Sequence, residues 1–335
     1  MEWGASLHEE VDPLLAVRQS TAQVVEEASN VSIDKEAVRS LAAAWVSGGG
    51  LRALLQDDIG WAKCGWHFAE DAALAGPLTC QYVFVLDALN FCFWPTDGLE
   101  YEHLAVGIRQ ALLRDPAALS ADRLASVTEE TLNSWIPSFQ IPLLGERVRK
   151  LRELGAVLSQ HFGGEAAQMV ACAGRSAARL VRIVVSMLPG FRDETVYRGR
   201  QVFFYKRAQI LVSDLWAAYG QKGPDHKYGF SDMGALTMFA DYRVPQILVH
   251  LAVLGYSERL QGLIAARAEL LPGSEEEVEI RAATVQAVEM LREALLSQGE
   301  GVLTTSVEID WILWHQGEKM KDDIVPHHRT RTPFY

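Results

Sequence analysis

Apolar residues recur at intervals of three and four along most of this chain, the spacing of one face of a helix. Val11, Leu14, Leu15, Val17 and Val24 begin the pattern, and Val38, Leu41, Ala42 and Trp45 continue it, so residues 10–59 read as helical. Within that stretch Ser32 and Asp34 ahead of Glu36 mark a helix start, and Gly48-Gly49-Gly50 a stop. Residues 102–113 and 121–132 carry two further helices, separated by Asp115-Pro116. Residues 146–161 are amphipathic through Val148, Leu151, Leu154, Val157 and Leu158, and end at Gly163-Gly164. Residues 166–188 read as one long helix stopped by Pro189-Gly190. Strand-like alternation is convincing once, where Arg198-Gly199 turns a small hairpin within residues 194–204. The prediction is a mainly α protein, a bundle-like single domain over residues 1–335 with one β-hairpin.

Several segments carry polar groups that a plain core face would not. In helical register across 81–94, Asp87, Asn90, Phe91 and Trp94 fall at i, i+3, i+4 and i+7 and share a face opposite Val85, Leu89 and Cys92. Such a face suits a planar heterocycle, with rings stacking and Asp and Asn reading its edges. It equally suits a solvent-facing polar edge beside an aromatic core. Residues 205–216 form a helix with Lys206, Gln209 and Ser213 on one face and Ile210 and Leu211 turned to the core. A lysine in a first turn opposes the helix macrodipole. It is there either as a solvated side chain or because something else requires it.

Residues 230–246 read as a short apolar helix that breaks at Asp241-Tyr242-Arg243 and restarts at Pro245, which pushes Val244 out of the α region. Taken alone, Asp241 is more simply a helix cap than a reacting carboxylate. Residues 275–279 are an acidic run, read as a solvated helix start, leading into a helix over 280–296. Residues 306–317 place Ile309, Leu313 and Gln316 on one face and Asp310, Trp314 and Gly317 on the next. His67, beside Trp61 and Trp66, reads as a packed histidine. The ending His327-His328-Arg329-Thr330-Arg331 is the densest cationic cluster, and its Pro-Phe-Tyr terminus suggests a docked tail. Its arginines offer the fork geometry of a monophosphate clamp.

Composition narrows the chemistry. The chain has 335 residues, 49% of them hydrophobic and 22% charged, with a net charge of −12. A protein that grips a polyanion carries a basic excess, so nucleic acid is not an expected partner. The four cysteines have no CxxC spacing, which fits reduced thiols and gives no zinc motif. The longest apolar runs are too short to span a bilayer and the N-terminus lacks a signal pattern. A cytoplasmic protein with no membrane partner, metal or cofactor is expected. No GxGxxG, P-loop, HExxH or GxSxG motif is present, so dinucleotide oxidoreductases, P-loop NTPases, zincins and α/β-hydrolases have no motif support.

Several blocks together resemble a known family. They are Leu86-Asp87-Ala88-Leu89-Asn90-Phe91-Cys92-Phe93-Trp94, Phe204-Tyr205-Lys206-Arg207-Ala208-Gln209-Ile210-Leu211-Val212, Thr237-Met238-Phe239-Ala240-Asp241-Tyr242-Arg243-Val244-Pro245-Gln246, Glu277-Val278-Glu279-Ile280-Arg281 and the His-Arg-x-Arg ending. In this order, from about Val24 to Tyr335, they are similar to the queuosine salvage proteins. The resemblance implies an N-glycosylase that releases queuine, a 7-deazaguanine base, from queuosine 5′-phosphate. It also implies a helical fold similar to the helix-hairpin-helix DNA glycosylases. It puts Asp241 at the reacting carbon and Lys206 in the active site.

On that basis Asp87 and Asn90 are expected to read the base, and Phe91, Trp94 and Tyr242 to stack on it. Arg243, His328, Arg329 and Arg331 are candidates for the phosphate or ribose, and Asp310 and Trp314 complete the substrate-binding set. A small-molecule substrate and a monomer are expected. The chain departs from the family pattern at Pro95-Thr96-Asp97-Gly98, a short bridge in place of a hairpin-like insertion, and at the doubled His327-His328. Two other classes remain: a nucleotide carrier that binds without cleaving, and a glycosylase acting on nucleic acid, which the acidity weighs against.

Overall fold

The computed structural model describes residues 12–55, 61, 64–223, 225–299 and 304–335. Among them the chain is mainly helical, with fifteen α-helices and two small two-stranded sheets. In order these are α1 (Pro13–Glu27), β1 (Val31–Ile33), α2 (Lys35–Ser47), α3 (Gly50–Leu54), α4 (Pro77–Leu89), α5 (Tyr101–Arg114), α6 (Ala121–Ala125), α7 (Glu129–Trp135), α8 (Leu144–His161) and α9 (Ala166–Cys172). Then follow α10 (Ala177–Met187), β2 (Glu194–Tyr197), β3 (Arg200–Phe203), α11 (Lys206–Ala218), α12 (Arg243–His250), β4 (Leu254–Tyr256), α13 (Glu258–Ala265), α14 (Glu275–Ser297) and α15 (Ser306–Met320). No described helix is long and apolar enough to cross a membrane.

Local chemistry sets many of the boundaries. Asp34 caps α2 as expected, its carboxylate accepting from Glu36 N at 2.8 Å and Ala37 N at 3.0 Å. The β2–β3 hairpin turns on Arg198 and Gly199, with φ of 46° and 80°, the conformation a two-residue hairpin turn requires. Three sequence expectations need correcting. Residues 10–59 are not helical throughout, because Val31–Ile33 pairs antiparallel with Leu254–Tyr256. Three residues are too few to show alternation. The expected helix over 166–188 is two helices, parted where Gly174 and Arg175 take φ of 58° and 68° and Ser176 caps the second. The acidic run at 275–279 is only partly solvated, since Glu277 and Glu279 are buried.

Two helices organise the interior. All residues of α4 from Thr79 to Leu89 are buried, so this helix is covered on every side, by α5, α8, α9 and α11 among others. The long α14 packs on α1, α2, α12 and α15 and carries its own buried charges. Apolar side chains from α1 to α15 join in a continuous core cluster.

Candidate active site

The apolar segment before Asp241 is not the short helix its composition suggests. Only Met233–Ala235 forms a single 3-10 turn, after which Leu236–Ala240 has no regular structure. Side chains satisfy its backbone instead. The Gln209 amide accepts from Thr237 N and donates to Thr237 Oγ1, both at 2.9 Å. Asp310 Oδ1 accepts from Phe239 N at 3.0 Å, and Arg281 Nε donates to Ala240 O at 3.0 Å. A backbone whose polar groups are met this way can be buried without being helical. The next helix starts at Arg243 rather than Pro245, with Tyr242 at the N-cap position, and Asp241 caps it from one residue further back: Oδ1 accepts from Arg243 N at 2.9 Å and Val244 N at 3.0 Å.

Asp241 also lines a cleft of about 1180 Å³, its solvent-open mouth included. Lys206 lines the same cleft from the first turn of α11 and is buried. Loss of water pushes the Lys206 ammonium down, and the carboxyls of Asp241 and then Asp87 hold it up. Burial raises Asp241, and Lys206 is the first group to bring it back. Each side chain thus offsets part of the cost of burying the other's charge. This answers why a lysine stands in a first turn against the helix dipole.

Further carboxyls surround this pair. Asp87 is fully buried, accepts from Asn90 Nδ2 at 3.4 Å through Oδ1, and has no hydrogen-bond partner on Oδ2. Burial pushes it up to about 7, against the pull of Lys206. Asp214 and Asp310 line the cleft and are held well above the carboxylate range, in each case first by burial and next by a neighbouring carboxyl, Asp87 and Asp241 respectively. Burial thus favours the protonated form of each of these carboxyls. Asp214 escaped the sequence reading, which placed Gln209 and Ser213 on the functional face of α11. The face that meets the cleft carries Lys206, Ile210, Asp214 and Ala217. Its i, i+4, i+8 spacing was the available signal. Gln209 instead faces Thr237.

Aromatic rings form the walls. Trp61 stacks on His67 with centroids 3.8 Å apart, and Tyr101 meets Trp314 edge-on. Burial lowers His67 to about 4, so the ring is neutral. Its Nδ1 faces the Trp61 carbonyl at 3.1 Å and must donate, leaving Nε2 to accept from Tyr101 OH at 2.9 Å. Phe91, Phe239, Tyr242, Trp311 and Tyr335 also line the cleft. Trp311, on α15, stacks on Trp216. Trp61, Tyr101, Trp311 and Tyr335 were not assigned from sequence, because each belongs to a different stretch.

The expected helical face of 81–94 requires correction. Helix α4 stops at Leu89, where two buried guanidiniums take up its last carbonyls and those just beyond: Arg207 those of Asp87 and Ala88, Arg147 that of Leu89 and then those of Phe91 and Cys92. Cys92 then takes φ of 46°, so helical register does not continue. Asn90 and Phe91 still reach the cleft, and Asp87 lies buried behind it. Trp94 does not line it; its Nε1 donates to Thr330 O at 3.2 Å, and Arg329 and Arg331 lie over its ring.

The remaining expected residues divide in two. Asp310, Trp314 and Tyr242 line the cleft, and Tyr242 stacks on His327 at 4.4 Å. Arg243, His328, Arg329 and Arg331 lie outside the lining. Arg243 is buried, bonded to Glu318 at 2.5 Å and to Gln246 at 2.6 Å, and it crosses Gly317 so closely that a Cβ there would sit 3.1 Å from its chain. His328 Nε2 meets Tyr335 OH at 3.3 Å. The tail is docked as expected, since Arg207 donates to Pro333 O and Leu270 N to Arg329 O.

Fold and site define a class: a mainly helical protein whose aromatic-walled cleft sets one lysine among buried carboxyls, fit to enclose and act on a heterocyclic nucleotide. Residues 70–335 match the queuosine salvage protein family, and the chain belongs to that family. It is 43% identical over 330 residues to the queuosine 5′-phosphate N-glycosylase/hydrolase of Dictyostelium discoideum, covering 97% of this chain and 100% of that protein. Its identity to the Sphaerobacter thermophilus protein of the same description is 42% over 332 residues, covering 96% and 98%. With the Mus musculus protein, again so described, the figures are 35% over 354 residues, 96% and 99%.

Proposed function

We propose that this chain is an N-glycosyl hydrolase that cleaves queuosine 5′-phosphate to queuine and ribose 5-phosphate. The observation that carries this is the shared cleft of Asp241 and Lys206, walled by aromatic rings, in a chain similar over nearly its whole length to relatives so described. Breaking a ribosyl C1′–N bond builds positive charge at C1′ and negative charge on the base. Asp241, with one oxygen held by the α12 backbone, offers the other to C1′. Lys206 keeps that carboxyl ionised and orients it or the ribose. A deazapurine has no N7 to protonate, so the leaving base draws its proton or hydrogen bonds at another edge. Asp214, which lines the cleft and is raised by burial, is placed to hold a proton at that edge, with Asp87 raised in the same way behind it. Asn90 reads the base beside them, and Phe91 and Tyr242 stack on it. Asp310 fixes the segment before Asp241 while Trp314 closes the wall.

The mononucleotide rather than tRNA is the proposed substrate, supported by the net charge of −12. A cytoplasmic location fits the absence of disulfides at Cys64, Cys80, Cys92 and Cys172. Incubation with queuosine, queuosine 5′-phosphate and modified tRNA, with free base followed by mass spectrometry, tests the proposal. Release from the mononucleotide is expected. Binding of the mononucleotide without release would make the protein a carrier, and release from tRNA alone would make it a nucleic-acid glycosylase.

A further inference from the structure

The block from Glu277 to Arg281 is left without a function by the cleft itself, since none of its residues lines it. Its three charged side chains are nonetheless buried, and burying charge needs a specific return. Glu279 points away from the cleft: it accepts from Ser29 N at 3.0 Å, Asn30 N at 2.6 Å and Val31 N at 3.1 Å, and from Tyr197 OH at 2.9 Å. It anchors the start of β1. Arg281 turns the other way. Its Nη1 and Nη2 pair with both oxygens of Asp193, at 2.9 and 2.5 Å, with both side chains 3% exposed. Its Nε donates to Ala240 O at 3.0 Å, the carbonyl immediately before Asp241. Asp193 Oδ2 in turn accepts from the backbone N–H of Lys206 at 3.2 Å.

One guanidinium–carboxylate pair therefore holds the backbone at both proposed reacting residues. Asp193 also collects Phe204 N at 3.0 Å and Tyr205 N at 3.2 Å through its own carbonyl, fixing the approach to Lys206. The guanidinium lies 3.9 Å from the Phe204 ring centroid and 4.2 Å from that of Tyr335, a cleft-lining ring. Tyr335 OH donates to Glu277 at 2.8 Å, and Glu277 stands 3.6 Å from Arg281. Planar bidentate geometry is something a lysine cannot reproduce.

We infer that Arg281 and Asp193 are positioning residues for the reaction, setting Asp241 against Lys206 across the cleft. The inference rests on the proposed roles of those two residues. A misplacement near 1 Å costs on the order of 100-fold in rate, so the pair governs turnover while leaving the base-binding walls intact.

The test measures kcat and KM on queuosine 5′-phosphate, queuine binding by calorimetry, and thermal melting for four variants. Arg281→Lys is expected to lose about 10- to 100-fold in kcat, with KM and queuine affinity within about twofold of wild type. Asp193→Asn, which keeps an acceptor for the Lys206 N–H, should lose less. Glu279→Gln supplies the structural control: buried on the same helix but facing β1, it should lower the melting temperature and leave the kcat of folded protein unchanged. Wild-type kcat in Arg281→Lys, or a kcat loss in Glu279→Gln as large as in Arg281→Lys, would overturn the inference. Should Arg281→Lys fail to fold, Asp193→Asn decides, and unchanged kcat there counts against it. Asp241→Asn separates the two levels: if it stays active the proposed chemistry falls, whereas if it is dead and Arg281→Lys is not, only the positioning role falls.

Discussion

Replacing Asp241 by asparagine separates its two jobs. The cap uses Oδ1, which accepts from Arg243 N at 2.9 Å and Val244 N at 3.0 Å. An amide oxygen makes the same bonds, and Asn ranks with Asp as a cap, so the loss of capping should stay below about 0.5 kcal/mol. The charge is lost completely. A carboxylate about 4 Å from a developing cation, at an effective dielectric near 20, contributes about 4 kcal/mol. At about 1.4 kcal/mol per decade, that is roughly a 1000-fold fall in kcat. Asp241→Ala should lose a similar rate factor plus about 1 kcal/mol of stability, because the cap goes too. Queuine release timed by liquid chromatography, with melting curves on the same samples, gives both quantities. Turnover of Asp241→Asn within about tenfold of wild type would refute the electrostatic assignment. Equal destabilisation of the two variants would refute the division between cap and charge.

Other perturbations probe the surroundings. Lys206→Met removes the first group opposing the burial-raised Asp241; kcat/KM should fall and its acid limb move to higher pH, and an unmoved limb would show the two are not coupled. Asp87 holds its proton up to about 7 in the fold but releases it near 4 when unfolded. The native state thus binds the extra proton between those values, and Asp87 lowers stability as pH rises through that window. Asp87→Asn should flatten the fall in melting temperature from pH 4 to 7, and an unchanged slope would place the proton elsewhere. Arg331→Ala removes a guanidinium that lies on Trp94 outside the cleft lining; KM should change by less than about twofold, and a tenfold rise would return the tail to a phosphate-binding role.

Part of this architecture could be read directly from the chain. The β2–β3 hairpin followed its Arg-Gly turn, α11 followed its periodicity, and Asp310 and Trp314 were placed on one face of α15 and do share the cleft. Other parts depended on partners distant in sequence. Nothing local ends α4 at Leu89; the stop comes from Arg147 and Arg207 reaching in from α8 and α11. The segment before Asp241 has the composition of a helix and is held out of one by Gln209, Asp310 and Arg281. Asp214 was legible in spacing and was passed over because Gln209 and Ser213 offered a competing polar stripe. Of the aromatic walls, Phe91, Tyr242 and Trp314 could be expected from the chain, whereas Trp61, Tyr101, Trp311 and Tyr335 acquire their meaning only from the other rings.

The pairing of Val31–Ile33 with Leu254–Tyr256 has a kinetic consequence. It closes most of the chain into one loop, and the cleft draws on α4 and α11 within that loop and on α15 beyond it, elements far apart in sequence. Contacts at such separation form slowly, because the loop entropy must be met before they contribute. The cleft is therefore expected to form late in folding. A ligand that binds there recognises only the finished chain and stabilises it in proportion to the logarithm of its concentration over Kd. For this protein, occupancy of the cleft and survival of the fold are thermodynamically linked.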